Sequence, residues 1–519
     1  MSDSVIQQAE IEAAVEKLVE GGRPRFVRLW NYYQNPMRAC GVRSDGQGSD
    51  RPYRQGQEWG LPSRITGLRS GCEVGAGQVI DGVARKEVVV ENDIGWRVDT
   101  MVDYLFGKGI TLNSAAPEAS RREEIGELLR LILSHNGGIL FLQQMALIGC
   151  VYGFVDVLVK LDLEAGGDEV DPAGFSGVQD LGEAPVGGEE NRAGDGATQL
   201  GGGRLSGREM RRVARMIRLE IVEPARALPF LSREDWQKLE AYGQVYEVRN
   251  PKSETLNQRG WWGRWFSGGE KRNWETGVEV ITATGWQRIV GGEVVEEGGN
   301  SLGALPVVHI QNLAMPFQYS GASDVEPLIP IQDELNTRLS DRANRITMQS
   351  FKMYLGKNIE GFTDATISPG KMWMTDNPDA EVISFGGDMG ETASEEEHIA
   401  DLREAMDKVS GVSPVAAGAI KDRIGNLTSA AALRITMFAL LSKNDRKRTT
   451  YGGGLQRICE LALAWLDHAG VYATEAEERQ VEIGWPSPLP ENESDALEEA
   501  GMKLKVGVPQ EVVLRELGY

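Results

Sequence analysis

The sequence predicts a mixed fold of helices and antiparallel strands built from more than one packed unit, and three observations predict it. The chain has 519 residues, more than one hydrophobic core usually organises. Between residues 216 and 308 the runs IRLEIVEP, GQVYEVRN, GVEVITATG and WQRIVGGEVVEE succeed one another across turn residues, the pattern of an antiparallel meander. From residue 324 onward apolar residues recur at helical spacing. Hydrophobic residues at 41% and charged residues at 25% are ordinary for a globular chain, and 63 glycines punctuate it with turns.

Residues 5–20 read as an acidic amphipathic helix with Ile11, Val15 and Leu18 on one face, followed by an aromatic patch over 26–33 and an open loop over 43–64. Residues 86–112 predict a short strand, then a helix that turns Ile94, Val98, Met101, Val102 and Leu105 inward and stops at Gly107 and Gly109. Helices are expected over 123–135 and 139–150, and an alternating strand over 151–163. The stretch 161–203 is rich in Gly, Asp and Glu with almost no large apolar residues. It cannot offset the entropy of ordering and reads as a disordered surface insertion, or as an acidic tail that binds a partner. Trp261, Trp262 and Trp265 sit in the most turn-rich part of the meander beside Arg259 and Arg264. Packing or subunit contact suits them, and stacking on bases is the alternative.

In the second half, 324–349 carries Leu328, Ile331, Leu335, Leu339 and Ile346 on one buried stripe of a helix. Arg338, Arg342 and Arg345, spaced by four and three residues, form a second stripe displaced around the same helix. Two sets of partners suit this basic stripe: the carboxylates of Asp333, Glu334 and Asp341, within the helix or between subunits, or phosphates. Strand-like pieces follow at 352–355, 371–374 and 381–385. Ser394 and Glu397 then have capping-box spacing before a helix over 395–409, whose narrow apolar stripe is Ile399, Leu402, Met406 and Val409. Gly411 and Pro414 stop it. Residues 411–427 form a small-residue loop that holds Lys421, Asp422 and Arg423. Thr428 or Ser429 can cap the next helix, whose run AAALRITMFALL is apolar on nearly all sides and is expected to be buried on most faces.

Several function classes are disfavoured. A formal charge of −22 argues against a protein that coats nucleic acid by neutralising phosphates. Cys40, Cys72, Cys150 and Cys459 form no CxxC pair or Cys/His cluster, so reduced, buried thiols are expected and no metal. No GxxxxGK[ST], HExxH or GxSxG occurs, and the GGG runs at 201–203 and 452–454 lack the strand-before, helix-after context of a nucleotide fingerprint. No cofactor is expected. His135, His309, His398 and His468 are isolated and read as structural or surface residues. Residues 1–21 lack a basic start followed by an apolar core, and no run of about 18 uncharged apolar residues occurs. A cytoplasmic protein with no membrane contact is expected.

Four blocks in order resemble the portal proteins of tailed bacteriophages, in particular the long-tailed branch typified by a Bacillus phage. VVVENDIGWRVDTMVDYLFGKGITL over 88–112 is similar to that family's strand, Asn-Asp pair, helix and Gly-Lys-x-Ile-Thr-Leu end. LGALPVVHIQN over 302–312 and SDVEPLIPIQDELNTRLSDRANRI over 323–346 resemble its strand-to-stem junction, including Asp324, Asn336, Ser340, Asp341 and Asn344. VSGVSPVAAGAI and LTSAAALRITMFALLSKNDRKR are similar to its second stem helix end, tunnel loop and long tunnel helix, although Ser429 is followed by Ala430 where the family usually has Gly. The ending from 481 resembles the family's strand, Pro-Glu-Asn turn and small helices.

The resemblance implies an α+β portal fold of long helices and small antiparallel sheets, divided into wing, stem, clip and crown. The wing would be 1–322, the first stem helix 323–349, the clip 350–393 and the second stem helix 394–410. The tunnel loop would be 411–427, the tunnel helix and returning wing 428–484, and the crown 485–519. It further implies a non-enzymatic ring of about twelve copies, at one capsid vertex of the virion and assembled in the host cytoplasm, for genome packaging, retention and ejection. Its partners would be double-stranded DNA in the channel, the terminase large subunit, a head-tail adaptor, and the major capsid and scaffold proteins. The DNA-facing tunnel-loop residues would be Ser413, Lys421, Asp422, Arg423 and Asn426, with Arg338, Arg342 and Arg345 as the stem's basic stripe. The competing classes are another capsid, scaffold or head-completion protein, and a packaging ATPase or nuclease subunit.

Overall fold

The computed structural model describes residues 6, 8–39, 53–62, 88–166, 205–235, 238–249, 274–350, 353–358, 378–385, 393–417, 435–488 and 493–516. In chain order its helices are α1 (Gln8–Lys17), α2 (Arg23–Gln34), α3 (Asp93–Phe106), α4 (Ala119–His135), α5 (Ile139–Tyr152), α6 (Gly207–Arg215), α7 (Ile329–Ser350), α8 (Ala393–Ser410), α9 (Phe438–His468), α10 (Glu493–Val506) and α11 (Gln510–Glu516). The strands are β1 (Met37–Ala39), β2 (Tyr53–Gln55), β3 (Thr111–Ser114), β4 (Phe154–Leu161), β5 (Ile217–Val222), β6 (Ala227–Leu231), β7 (Leu239–Arg249), β8 (Trp274–Thr282), β9 (Gly285–Val290), β10 (Glu293–Gly299), β11 (Val307–Gln311), β12 (Met353–Lys357), β13 (Glu381–Phe385) and β14 (Val481–Gly484). Long helices with small antiparallel sheets make an α+β fold. It divides into two compact units, one of Met1–Phe26, Met101–Ser323 and Leu441–Tyr519, the other of Val27–Thr100 and Asp324–Leu440.

The first unit holds three sheets, with strand orders β10-β9-β8-β7-β6, β11-β4-β5 and β14-β3. The five-stranded sheet is the expected meander with two corrections. The run IRLEIVEP is β5, which pairs with β4 in a different sheet, and β6 had no expectation because Pro229 interrupts its strand pattern. Proline cannot donate to a ladder, and β6 lies at the sheet edge where that loss is tolerated. The alternation expected over 151–163 is also absent. Phe154 to Val159 are buried in succession, because β4 is the central strand and both its faces are covered. Leu158, Val222, Ala227, Tyr242 and Val307 form a shared core between the two larger sheets. At its margin the buried Asp156 carboxylate accepts hydrogen bonds from His309 Nδ1 (2.7 Å), Tyr319 (2.8 Å) and Tyr242 (2.9 Å). Burial, and next the Asp156 charge, push both tyrosine hydroxyls well up. Helix α9 runs beneath, burying Tyr451, Leu455, Ile458, Leu463 and Leu466, and Trp465 Nε1 donates to the Val159 carbonyl at 2.9 Å. Ile11, Val15 and Leu18 are buried as their spacing predicts, with the helix turning π-helical over Leu18–Gly22. Cys150 and Cys459 are buried and form no disulfide, with Lys447 Nζ 2.9 Å from Cys150 Sγ; Cys40 and Cys72 lie outside the described residues.

In the second unit α7 and α8 pair beside α2, the β1-β2 hairpin and the first half of α3. Part of the loop expected over 43–64 is ordered: β2 leads into a 3-10 turn, Gly56–Gly60, that buries Gln57 and Glu58. The strand expected near 88–90 joins no sheet over its described residues, since side chains of α7 take its backbone hydrogen bonds. Ile346 is 45% exposed, so the buried apolar stripe of α7 ends before it. Ser394 lies inside α8 and does not cap it, and Val409 is exposed while Ile399 and Met406 are buried. Over 435–440, Met437 and Leu440 are buried but Ile435 and Phe438 are 77% and 69% exposed; a helix packed on one side replaces the expected burial on most faces. Strands β12 and β13 pair antiparallel. The strand piece at 371–374, the insertion beyond residue 166, the three tryptophans at 261–265 and the cap at 428–429 lie outside the described residues.

Candidate functional site

Helix α7 is built with three different faces. Leu328, just before it, and Leu335 are fully buried, each such side chain contributing about 2 kcal/mol through burial. Gln332, Asn336 and Ser340, four residues apart, form a second buried stripe, and it is polar. Gln332 Nε2 donates to the Glu91 carbonyl (2.7 Å) and to Asn336 Oδ1 (2.9 Å). The backbone N–H groups of Glu91 and Val89 donate to Asn336 Oδ1 and Ser340 Oγ, both at 3.0 Å. Asn336 Nδ2 reaches Gln57 Oε1 at 3.2 Å, while Gln57 Nε2 donates to the Tyr32 carbonyl and to Asn92 Oδ1. A segment that could have joined a sheet is thus held by amide and hydroxyl side chains, which satisfy its buried backbone groups.

The third face carries the three arginines. Arg338 pairs with Glu334 at 2.6 Å and Asp341 at 3.5 Å on its own helix. Arg342 reaches Glu396 at 3.1 Å and Arg345 reaches Glu395 at 2.5 Å, both on α8. The pairings run in opposite chain directions, so α7 and α8 are antiparallel and zipped by charge. Each arginine is roughly one-third exposed (36%, 37% and 28%), which leaves room for salt screening and for a further anionic contact. Asp333, expected among the carboxylate partners, instead accepts from the Tyr32 hydroxyl at 2.7 and 2.9 Å. Burial raises its pKa, against the lowering effect of that hydrogen bond and of Arg28.

The far end of α8 is fixed separately. Arg97, 3% exposed, bonds Asp407, donates to the Asp93 carbonyl at 3.1 Å and lies 4.3 Å from the centre of the Trp96 ring. Burial raises the Asp407 pKa, and the bond from Arg97 works against it. Four residues later Gly411 takes φ +72° and its N–H donates to the Asp407 carbonyl, a left-handed stop suited to glycine. Ser413 follows, half-buried, ahead of a 3-10 turn over Pro414–Ala417. Lys421, Asp422, Arg423 and Asn426 lie outside the described residues. The helix pair therefore brings Arg338, Arg342 and Arg345 together with acidic partners and aims the start of the 411–427 segment.

Sequence reasoning missed Gln332, Arg97, Asp407 and the Asp156 cluster as structural centres. Polar residues at 332, 336 and 340 share one helical face, and that spacing was the available signal for the first. Among the described residues no three His, Cys, Asp or Glu side chains lie together as metal ligands, and no single helix is long and apolar enough to cross a membrane.

Residues 270–518 match the family described as Phage portal protein, SPP1 Gp6-like. No curated protein sequence matches the chain. Among solved structures, a chain in the virion of a native gene transfer agent particle is similar over 80% of this chain and 85% of its own, at 12% identity and TM-score 0.38. A chain in the neck of an empty gene transfer agent particle, computed with C6 symmetry, is similar over 80% and 86%, at 12% identity and TM-score 0.40.

Proposed function

Because residues 270–518 of the chain belong to the phage portal protein family, we propose that it is one subunit of a ring at a capsid vertex, through which DNA is packaged, retained and ejected. The family match is the observation that carries this reading. The ring holds about twelve copies, closed by a head-to-tail contact repeated around one axis. It belongs to the virion, is assembled in the host cytoplasm, and is a conduit and docking platform without catalysis of its own. Terminase and the head-tail adaptor dock at the clip, 350–393; capsid and scaffold proteins contact the outside. The two antiparallel helices α7 and α8 serve as the stem, 1–322 and 428–484 as the wing, 411–427 as the tunnel loop and 485–519 as the crown. A charge of −22 per subunit suits a channel that DNA must slide through, because an acidic wall repels phosphate where a basic one would act as a brake. Ser413, Lys421, Asp422, Arg423 and Asn426 supply the weak contacts at the loop.

Electron microscopy of the purified protein tests the proposal. Closed rings with a central hole are expected. Monomers that turn over nucleotide would overturn it in favour of a packaging motor, and closed shells without a channel in favour of a capsid component.

A further inference from the structure

Strand β11 is an edge strand, paired only with β4 in its sheet. The Val159 N–H donates to the Pro306 carbonyl and the Asn312 N–H to the Gly153 carbonyl. Even-numbered residues therefore bond toward β4, and Val307, His309 and Gln311 turn their backbone N–H and C=O groups to the open edge. Among the described residues no hydrogen bond satisfies them there. Native edges are commonly blunted by charge, proline or a bulge, yet VVHIQ contains no charged or proline residue and its register with β4 is unbroken.

Alongside this edge runs a cleft of about 390 Å³, floored by β11 and walled by Thr450, Gly453, Gly454 and Arg457 of α9. Glycine inside a helix costs about 1 kcal/mol relative to alanine. Gly454 has its reason within the subunit, since a Cβ there would lie 2.3 Å from the Ile310 side chain. Gly453 meets nothing within 4 Å, so its bare backbone leaves the cleft wall open. An edge strand facing a helix across a groove is the geometry in which an extended segment adds to a sheet.

The same chain offers an occupant of matching chemistry. Strand β10 is the outermost strand of the five-stranded sheet, and its register with β9 shifts between Val294 and Glu296. It is exposed along nearly its whole length, with Val294 and Val295 at 54% and 58%, and it carries Glu293, Glu296 and Glu297. Arg457, 53% exposed and paired at its rim with Glu460, is the cation among the lining residues of the cleft. The acidic strand and the Arg457 side of the cleft are complementary in charge.

We propose that the cleft between β11 and α9 receives the outer edge of β10 from a second copy of the chain, joining the two sheets across a subunit boundary. The contact uses two different surfaces, so it is head-to-tail and can close a ring; in this it rests on the ring assembly proposed above. The test is a charge swap in the full chain. Arg457→Glu, and separately Glu293→Lys/Glu296→Lys/Glu297→Lys, should each raise the concentration for half-assembly about tenfold, and combining them should restore it. Circular dichroism on each variant verifies folding, which these exposed positions should not disturb. In parallel, a synthetic peptide of residues 291–300 is titrated onto the wild-type protein and onto Arg457→Glu, with about tenfold weaker binding expected for the variant. Wild-type assembly by both variants, or failure of the combination to restore it, overturns the proposal and leaves the portal reading standing. A wild-type chain that forms no rings overturns the portal reading, and the peptide titration then decides the cleft alone: no binding, or equal binding to both proteins, refutes it.

Discussion

Asn336→Ala probes the polar stripe most directly. Asn336 is fully buried and makes three hydrogen bonds: its Oδ1 accepts from the Glu91 N–H and Gln332 Nε2, and its Nδ2 donates to Gln57 Oε1. Alanine strands two donors and one acceptor in a buried setting. At about 1 kcal/mol each, the loss is about 3 kcal/mol, which outweighs the few tenths of a kcal/mol that alanine adds in helix propensity. A loss of that size raises the opening equilibrium about a hundredfold. Hydrogen exchange followed by mass spectrometry on the peptide covering 88–92 reads it locally, so unfolding of the other unit does not blur the result. Asn344→Ala, on the same helix but only half-buried, serves as the control and should change exchange little. An Asn336→Ala protein whose 88–92 amides exchange within about threefold of wild type would show that the segment is held by packing and not by the amide network.

Three further outcomes are expected. Burial raises the Asp333 pKa, so between the ordinary aspartate range and that raised value the folded state binds more protons than the unfolded, and stability falls as pH rises. Asp333→Asn keeps an acceptor for Tyr32 and should flatten that part of the pH dependence of melting; parallel wild-type and variant curves refute it. Reversing Arg338, Arg342 and Arg345 to Glu should lower the melting temperature by an amount that shrinks in high salt, since each exposed pair is worth a few tenths of a kcal/mol, whereas an unchanged melt with lost packaging would assign the stripe to DNA. Replacing Lys421 and Arg423 with Ala should leave ring formation and melting unchanged but reduce the DNA retained in assembled heads, and full-length genomes in mutant heads would end that assignment.

Helical periodicity made α1, α3, α4, α5, α7 and α8 legible, because an amphipathic helix writes its buried face into the sequence every three to four residues. Val98, Met101 and Leu105 are buried where their spacing puts them. The β7 to β10 meander was legible for the same reason, turn residues bounding short β-branched runs. Failures cluster where a partner distant in sequence decides the outcome. VVV before α3 has strand chemistry, yet Asn336 and Ser340, some 245 and 251 residues away, supply its hydrogen bonds. IRLEIV is a strand in either sheet, and only pairing with β4 assigns it. Ile346, Val409 and Phe438 look like core by composition, but the described residues leave them 45%, 46% and 69% exposed.

By itself, then, the sequence determined most of the helices and the β7 to β10 meander, the acidity of the chain, the spacing of the three arginines and the likeness of residues 270–518 to a family model, all local or summed properties of residue type. Which strand joins which sheet, which carboxylates meet those arginines, and the burial of Asp156, Arg97 and Gln332 were decided by tertiary structure alone. A hydrogen bond or ion pair depends on the distance between two groups, and for residues hundreds of positions apart that distance is fixed only when the chain has folded.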